Sequence, residues 1–315
     1  MAVNLLLSYA FHADTDLRRV RTSLVCGRLL IDSGAFTAHT KGRRIELADY
    51  AAFLERWRGC WDHAITLDVI GDPAGTRRNT RALHARGLPV MPVFTPGDTV
   101  AEFEAMVRDS SYVAAGGLVG MARALQVRRV RALQRRAADL GGGVHALGVG
   151  SMTSLRAALP YSADASTVSG AFKFGKIVYF DGRTVQNTGV SDVARLRRDH
   201  RIIRDHGIDL AQIATDNRMP KLRGRQALMQ AMSLAYATAD EHLRRTRPVT
   251  EPGSGPDGLP GTHLYSSLGA GEPDAYAIAD LDRILHSPGG PVPPIWRRYR
   301  GAHTCYPRKA QPHAS

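Results

Sequence analysis

The chain has 315 residues, 43% of them hydrophobic, and no apolar run approaches the length of a membrane span. Its 42 Lys and Arg against 29 Asp and Glu leave a net charge of +13, which argues for a polyanionic partner, above all nucleic acid. The three cysteines, Cys26, Cys60 and Cys305, are too scattered for a disulfide framework or a CxxC-type metal site, so a cytoplasmic location is expected.

In chain order, Val3–Ser8 reads as a first strand and residues 12–21 as a loop or short helix. Leu29–Ile31 is a second strand that runs into Asp32-Ser33-Gly34-Ala35-Phe36-Thr37, a carboxylate followed by a small-residue turn. Residues 46–57 have apolar residues at helical spacing, and Ala64–Ile70 is a third strand with Asp68 near its end. A helix over 76–86 stops at Gly87, and a fourth strand follows over Pro89–Phe94. Val100–Arg108 is helical, and Tyr112–Leu118 is a fifth strand containing Gly116-Gly117. Ala122–Leu140 is a longer helix with Arg128, Arg129, Arg135 and Arg136 off its apolar stripe. Val144–Val149 is a sixth strand, Met152–Leu159 a short helix, and Tyr161–Ser166 a seventh strand carrying Asp164. Ile177–Phe180 is a strand or part of an insertion. Ser191–His206 is a helix capped by Ser191, Leu210–Ala214 a candidate eighth strand, and Met219–Arg245 a long helix.

Strands alternating with helices predict parallel βαβ units. About eight of them, with carboxylates and glycines at the strand ends, predict an α/β fold of the (β/α)8 TIM-barrel type with insertions. An open doubly wound sheet is the alternative; no GxGxxG follows the first strand. The expected organisation is a barrel over residues 1–246, a flexible Gly/Pro-rich linker or loop over 247–273, and a short helix with a poorly ordered basic tail over 274–315.

Asp32, Asp68 and Asp164 would converge on the mouth at the C-terminal ends of the strands, although each alone also reads as an ordinary turn or cap residue. Gly116-Gly117 and Gly148-Val149-Gly150 would lie at the same face. Three carboxylates at one mouth can stabilise or attack a developing positive charge, move a proton and accept hydrogen-bond donors of a ligand. The histidines at 12, 39, 63 and 145 read as structural.

In their order, Asp32-Ser33-Gly34-Ala35-Phe36, Leu67-Asp68, Gly116-Gly117-Leu118, Leu147-Gly148-Val149-Gly150 and Ser162-Ala163-Asp164 resemble the tRNA-guanine transglycosylase barrel. The longer stretches Asp32–Ala38, Leu67–Pro73 and Pro92–Phe94 look closer to its DNA-acting relatives, the deazapurine-in-DNA proteins of bacteria and phages. The resemblance implies exchange of guanine in DNA for a 7-deazaguanine such as preQ0. It implies Asp164 as the nucleophile on C1′, Asp32 as general acid and base, and Asp68 on the N1–H and exocyclic amine. It further implies that Gly117, with Gly116, donates to the base O6, that Phe36 and Leu147 sandwich the ring beside Gly148, and that Ser33 lies beside the base. Arg128, Arg129, Arg135 and Arg136 would hold phosphates.

The tRNA enzymes carry a structural zinc on a CxCxxC motif followed by a His. This sequence lacks that motif, so no zinc and no other cofactor is expected. That shifts weight from tRNA towards DNA. Partners would then be DNA, or alternatively tRNA, with guanine and a 7-deazaguanine as small-molecule substrates and accessory DNA-modification proteins beside them. A barrel that binds nucleic acid or a nucleobase without catalysis is the third reading.

Overall fold

A computed structural model describes residues 3–22, 26–165, 176–189, 191–208, 210, 222–246 and 263–268. Seven short strands appear in the predicted order: β1 (Val3–Ser8), β2 (Cys26–Asp32), β3 (His63–Ala64), β4 (Val93–Phe94), β5 (Tyr112–Ala115), β6 (Gly143–Ala146) and β7 (Ser162–Ala165). After a hairpin of β8 (Ile177–Phe180) and β9 (Val185–Thr188), β10 (His263–Leu268) completes the main sheet. The order in that sheet is β3-β2-β1-β10-β7-β6-β5-β4, and every pair in it is parallel. The two ends meet at a parallel bridge between Ile65 and Met91. There Met91 N donates to Ala64 O at 2.7 Å and Thr66 N to Met91 O at 2.9 Å. The eight-stranded parallel sheet therefore curls back on itself, a TIM-like α/β fold.

Helices connect the strands: α1 (Tyr9–His12), α2 (Leu17–Thr22), α3 (Ala35–Thr40), α4 (Leu47–Arg56), α5 (Pro73–Ala85), α6 (Val100–Ser110), α7 (Arg123–Asp139) and α8 (Met152–Ala158). Strand alternation divides the core in two. Leu29 and Ile31 of β2 join the outer layer with Tyr50, Ala51 and Leu54 of α4. Leu30, between them, joins Leu6, Ile65, Met91, Val93, Tyr112, Tyr161 and Tyr265 in a separate inner cluster. That interior is unusually polar. Buried Arg28 donates to the Tyr161 hydroxyl at 3.1 Å, and the Tyr161 ring lies 5.2 Å from both Tyr112 and His263.

Several expectations shift. The third and fourth strands are only two residues long. Pro89 and Pro92 have no N–H to give a ladder, and beyond the Ile65 bridge the chain turns away towards Asp68. The helix expected over 191–206 is two helices, α9 (Val193–Arg198) and α10 (His200–Asp205). Asp199 breaks it: Tyr179 donates to its carboxylate, and Arg198 clamps it at 2.8 and 2.9 Å. The cap is Asp192, whose side chain accepts from Arg195 N, not Ser191.

The long helix α11 spans Leu222–Thr246. With β8, α9 and α10 it forms a third apolar cluster of Ile177, Tyr179, Leu196, Ile203, Ile208, Leu228 and Ala231, so the segment between β7 and β10 has a small core of its own.

The main correction concerns the stretch 247–273, expected to be a flexible linker outside a barrel ending at 246. It contains β10, paired between β1 and β7, with Leu264 and Tyr265 fully buried. Asp240 of α11 pins that strand. Its Oδ1 accepts Leu264 N at 2.7 Å and Asn4 Nδ2 at 3.3 Å, while its Oδ2 takes Arg244 Nε at 3.0 Å. All of the candidate strand over Leu210–Ala214 except Leu210 lies outside the described residues, as do the helix expected over 275–286 and the tail. Among the described residues no helix is long and apolar enough to cross a membrane.

Candidate functional site

Asp32 ends β2, in register with Ser8 at the end of β1. The chain then reverses through Gly34 at φ +76°, whose N–H donates to Asp32 Oδ2 at 3.0 Å. A β-carbon on Gly34 would lie 2.4 Å from Ser8 Oγ and 2.5 Å from Ala10 Cβ, so both the backbone angle and the space require glycine. Ser33 is buried, with its Oγ facing Ala35 N at 3.4 Å. Phe36 is 56% exposed on α3, an open ring face beside the mouth.

Asp164, on β7, is buried against β6. Its Oδ1 accepts the Gly148 N–H at 2.6 Å and lies 3.4 Å from His145 Nε2. Gly148, expected beside the base, thus holds the carboxylate through its backbone. Asp68 is half-buried and accepts from Thr76 Oγ1 at 2.7 Å. Burial, with Asp98 as a like-charged neighbour, raises its pKa against that bond. Asp72, four residues on, is structural, as Asp72-Pro73 suggested: it caps α5 through Gly75 N at 2.8 Å.

Asp32 lies within electrostatic reach of both Asp164 and Asp68. Asp32 is pushed up to about 7, first by burial and then by the negative charge of Asp164, with a smaller push from Asp68. A carboxyl group in that range can hold or release a proton near neutrality, as a general acid and base must. The same shift penalises the fold. Folded Asp32 binds its proton more tightly than unfolded Asp32, so its contribution to stability is present below about pH 4 and lost as pH rises through about 7. Asp32→Asn should therefore be more stable than wild type at pH 8, by on the order of 2–4 kcal/mol, with the gap closing near pH 4. Denaturant melts across that range measure it; an equal gap at both pH values would remove the titration as its cause.

The remaining expected residues divide. Leu147 is half-buried against the inner cluster. Gly117 is exposed with φ +65°, and a β-carbon there would lie 2.4 Å from Pro96 Cδ, so both the backbone angle and the space require glycine. Gly116 is not available as expected: its N–H donates to Phe94 O at 2.8 Å within the sheet. The arginine face of α7 is also partly engaged. Arg136 pairs with Glu104 at 2.6 Å, and Arg129 sits 5.6 Å over the Phe94 ring. Arg128 and Arg135 are exposed, but Arg135 and Arg136 lie roughly 10 Å further along the helix than Arg129, away from the mouth.

A cleft of about 360 Å³ opens on the rim nearest Asp32 and carries Lys41, Arg43 and Arg44. Thr37 and Ala38 of α3 and Tyr9 and Ala10 of α1 form its floor, and Lys41 Nζ lies 4.9 Å over the Phe11 ring. Glu46 and Asp49 also line it, Glu46 paired with Arg44 at 3.1 Å. Sequence reasoning missed this cleft because its cations come from one short loop. It also set His145 aside as structural, although alternation places residues 145 and 147, and 162 and 164, on common faces.

Among the described residues no group of three His, Cys, Asp or Glu side chains could hold a metal ion. Compared with known proteins, the chain matches no family model and no curated protein.

Proposed function

We propose that the chain is a base-exchange transferase acting on DNA, built on a (β/α)8 barrel, that replaces guanine with a 7-deazaguanine such as preQ0. The observation that carries this reading is the pair of neighbouring carboxylates at the strand ends. Asp32 is poised near 7 to hold a proton, while Asp164 is fixed as an acceptor by the Gly148 N–H. Two carboxyl groups with environments this different divide naturally into acid and nucleophile.

In the first step an Asp164 oxygen bonds to C1′ of a nucleotide turned out of the helix, and the C1′–N9 bond breaks. The electron pair goes to the purine, and Asp32 donates its proton to a purine nitrogen. In the second step the incoming base gives its N9 proton to Asp32 and its N9 attacks C1′. The bond to Asp164 breaks, and the pair returns to the carboxylate. Two displacements retain configuration, and no cofactor enters the balance. Asp68 would accept from the guanine edge, Gly117 N–H would face O6, and Phe36 and Leu147 would enclose the ring.

Incubation with radiolabelled guanine or preQ0 and either DNA or tRNA tests the reading. Label should enter DNA. Label in tRNA alone would overturn the DNA assignment, and no label in either would favour a barrel that binds without exchange. For the phosphates, the cations beside the mouth suit better than the α7 face. Replacing Lys41 and Arg43 together by Ala should weaken DNA binding several-fold and flatten the log–log salt slope by about 2, Arg44 being already paired with Glu46. Arg135→Ala with Arg136→Ala should change neither, as fluorescence anisotropy would show.

A further inference from the structure

Behind Asp164 runs a line of buried polar groups that the exchange chemistry above does not use. His145 on β6 is fully buried. Its Nδ1 lies 2.6 Å from Ser162 Oγ, and Ser162 Oγ in turn is hydrogen-bonded to the Tyr112 hydroxyl from β5. The imidazole is set edge-on to Tyr112 and Tyr265, with ring centres at 6.5 and 5.8 Å, so it cannot easily turn. On its far side Nε2 has no hydrogen-bond partner among the described residues and faces Asp164 Oδ1 at 3.4 Å.

Hydrogen placement follows from these contacts. If Nδ1 of a neutral ring carried the hydrogen, the Nε2 lone pair would be buried against a carboxylate, which is repulsive and unsolvated. If Tyr112 donates to Ser162 and Ser162 donates to Nδ1, Nε2 carries the hydrogen and points it at Asp164. Each hydroxyl then donates once, and no buried lone pairs oppose each other. The 3.4 Å separation is long, as such contacts often are before substrate closes the site.

We propose that His145, oriented by Ser162 and Tyr112, is a positioning residue that presents its Nε2–H to Asp164 Oδ1. With the Gly148 N–H it occupies Oδ1 and leaves Oδ2 to meet C1′. The proposal rests on the base-exchange reading for its kinetic consequence, though not for its geometry. An N–H on Oδ1 matters most when charge returns to the carboxylate, in the second displacement, where Asp164 is the leaving group.

Two measurements test it separately. Nitrogen-15 shifts of the His145 ring in the free protein should report hydrogen on Nε2, and Ser162→Ala should disturb that preference. Hydrogen on Nδ1 alone would overturn the proposal whatever the protein's activity. In the exchange assay, His145→Leu should slow turnover by roughly 100-fold with DNA binding unchanged, and the covalent protein–DNA adduct should accumulate. His145→Gln, which restores an N–H at a similar place, should recover much of the loss. If His145→Leu slows turnover without adduct and Gln does not rescue it, His145 is only a packing residue. If wild type exchanges nothing while the ring shifts are as expected, the base-exchange reading fails and the positioning stands.

Discussion

Asp164→Asn should abolish base exchange, lowering turnover by about 10⁴-fold or more, because an amide cannot form the bond to C1′. The fold should survive. The Asn side-chain oxygen can still accept the Gly148 N–H that now reaches Asp164 at 2.6 Å. A second consequence is independent of activity. Part of what lifts Asp32 to about 7 is the charge of Asp164, so removing that charge should bring Asp32 down towards the usual carboxylate range, leaving the part due to burial. Carboxyl carbon-13 titration of the variant reads this directly. Unaltered exchange would remove Asp164 as the nucleophile; an unaltered Asp32 midpoint would show that the two carboxylates do not interact.

Asp240→Ala should destabilise the protein by about 3–5 kcal/mol, the range for breaking a buried charged network. The substitution removes the acceptor for Leu264 N, Asn4 Nδ2 and Arg244 Nε. The loss falls on one place, the strand that joins β7 to β1. Hydrogen exchange should therefore speed up first at β10 and at β1. A loss below about 1 kcal/mol in a denaturant melt, typical of a surface position, would show that this strand is held by other contacts.

Legibility in the sequence followed local contrast. β1, β2, β5, β6 and β7 were visible as short apolar runs, and Asp32, Asp68 and Asp164 because a carboxylate interrupts or follows such a run. β10 was hidden for the opposite reason: His263-Leu264-Tyr265 is short and flanked by Gly, Pro and Ser, so the composition of its surroundings outweighed its own pattern. Its burial comes from Asp240 and two neighbouring strands, which no local window contains. The same limit applies in the site. Gly116 looks free until its N–H is found in the sheet, and His145 looks ordinary until Ser162, Tyr112 and Asp164 surround it. Arg136 looks like a phosphate ligand until Glu104, on another helix, takes it.

The late position of β10 bears on how the chain is made. Asn4 and Leu264, linked by a hydrogen bond, are 260 positions apart. On the ribosome β1 therefore waits for some 260 further residues to be added before its second neighbour exists. Until then β1 and β7 are open parallel edges, the kind that pairs with other chains. The last closure is among the longest-range contacts available and so a slow one. Overexpressed chains cut before residue 263 should accumulate as aggregates, and a co-expressed holdase should protect the full-length chain mainly during synthesis.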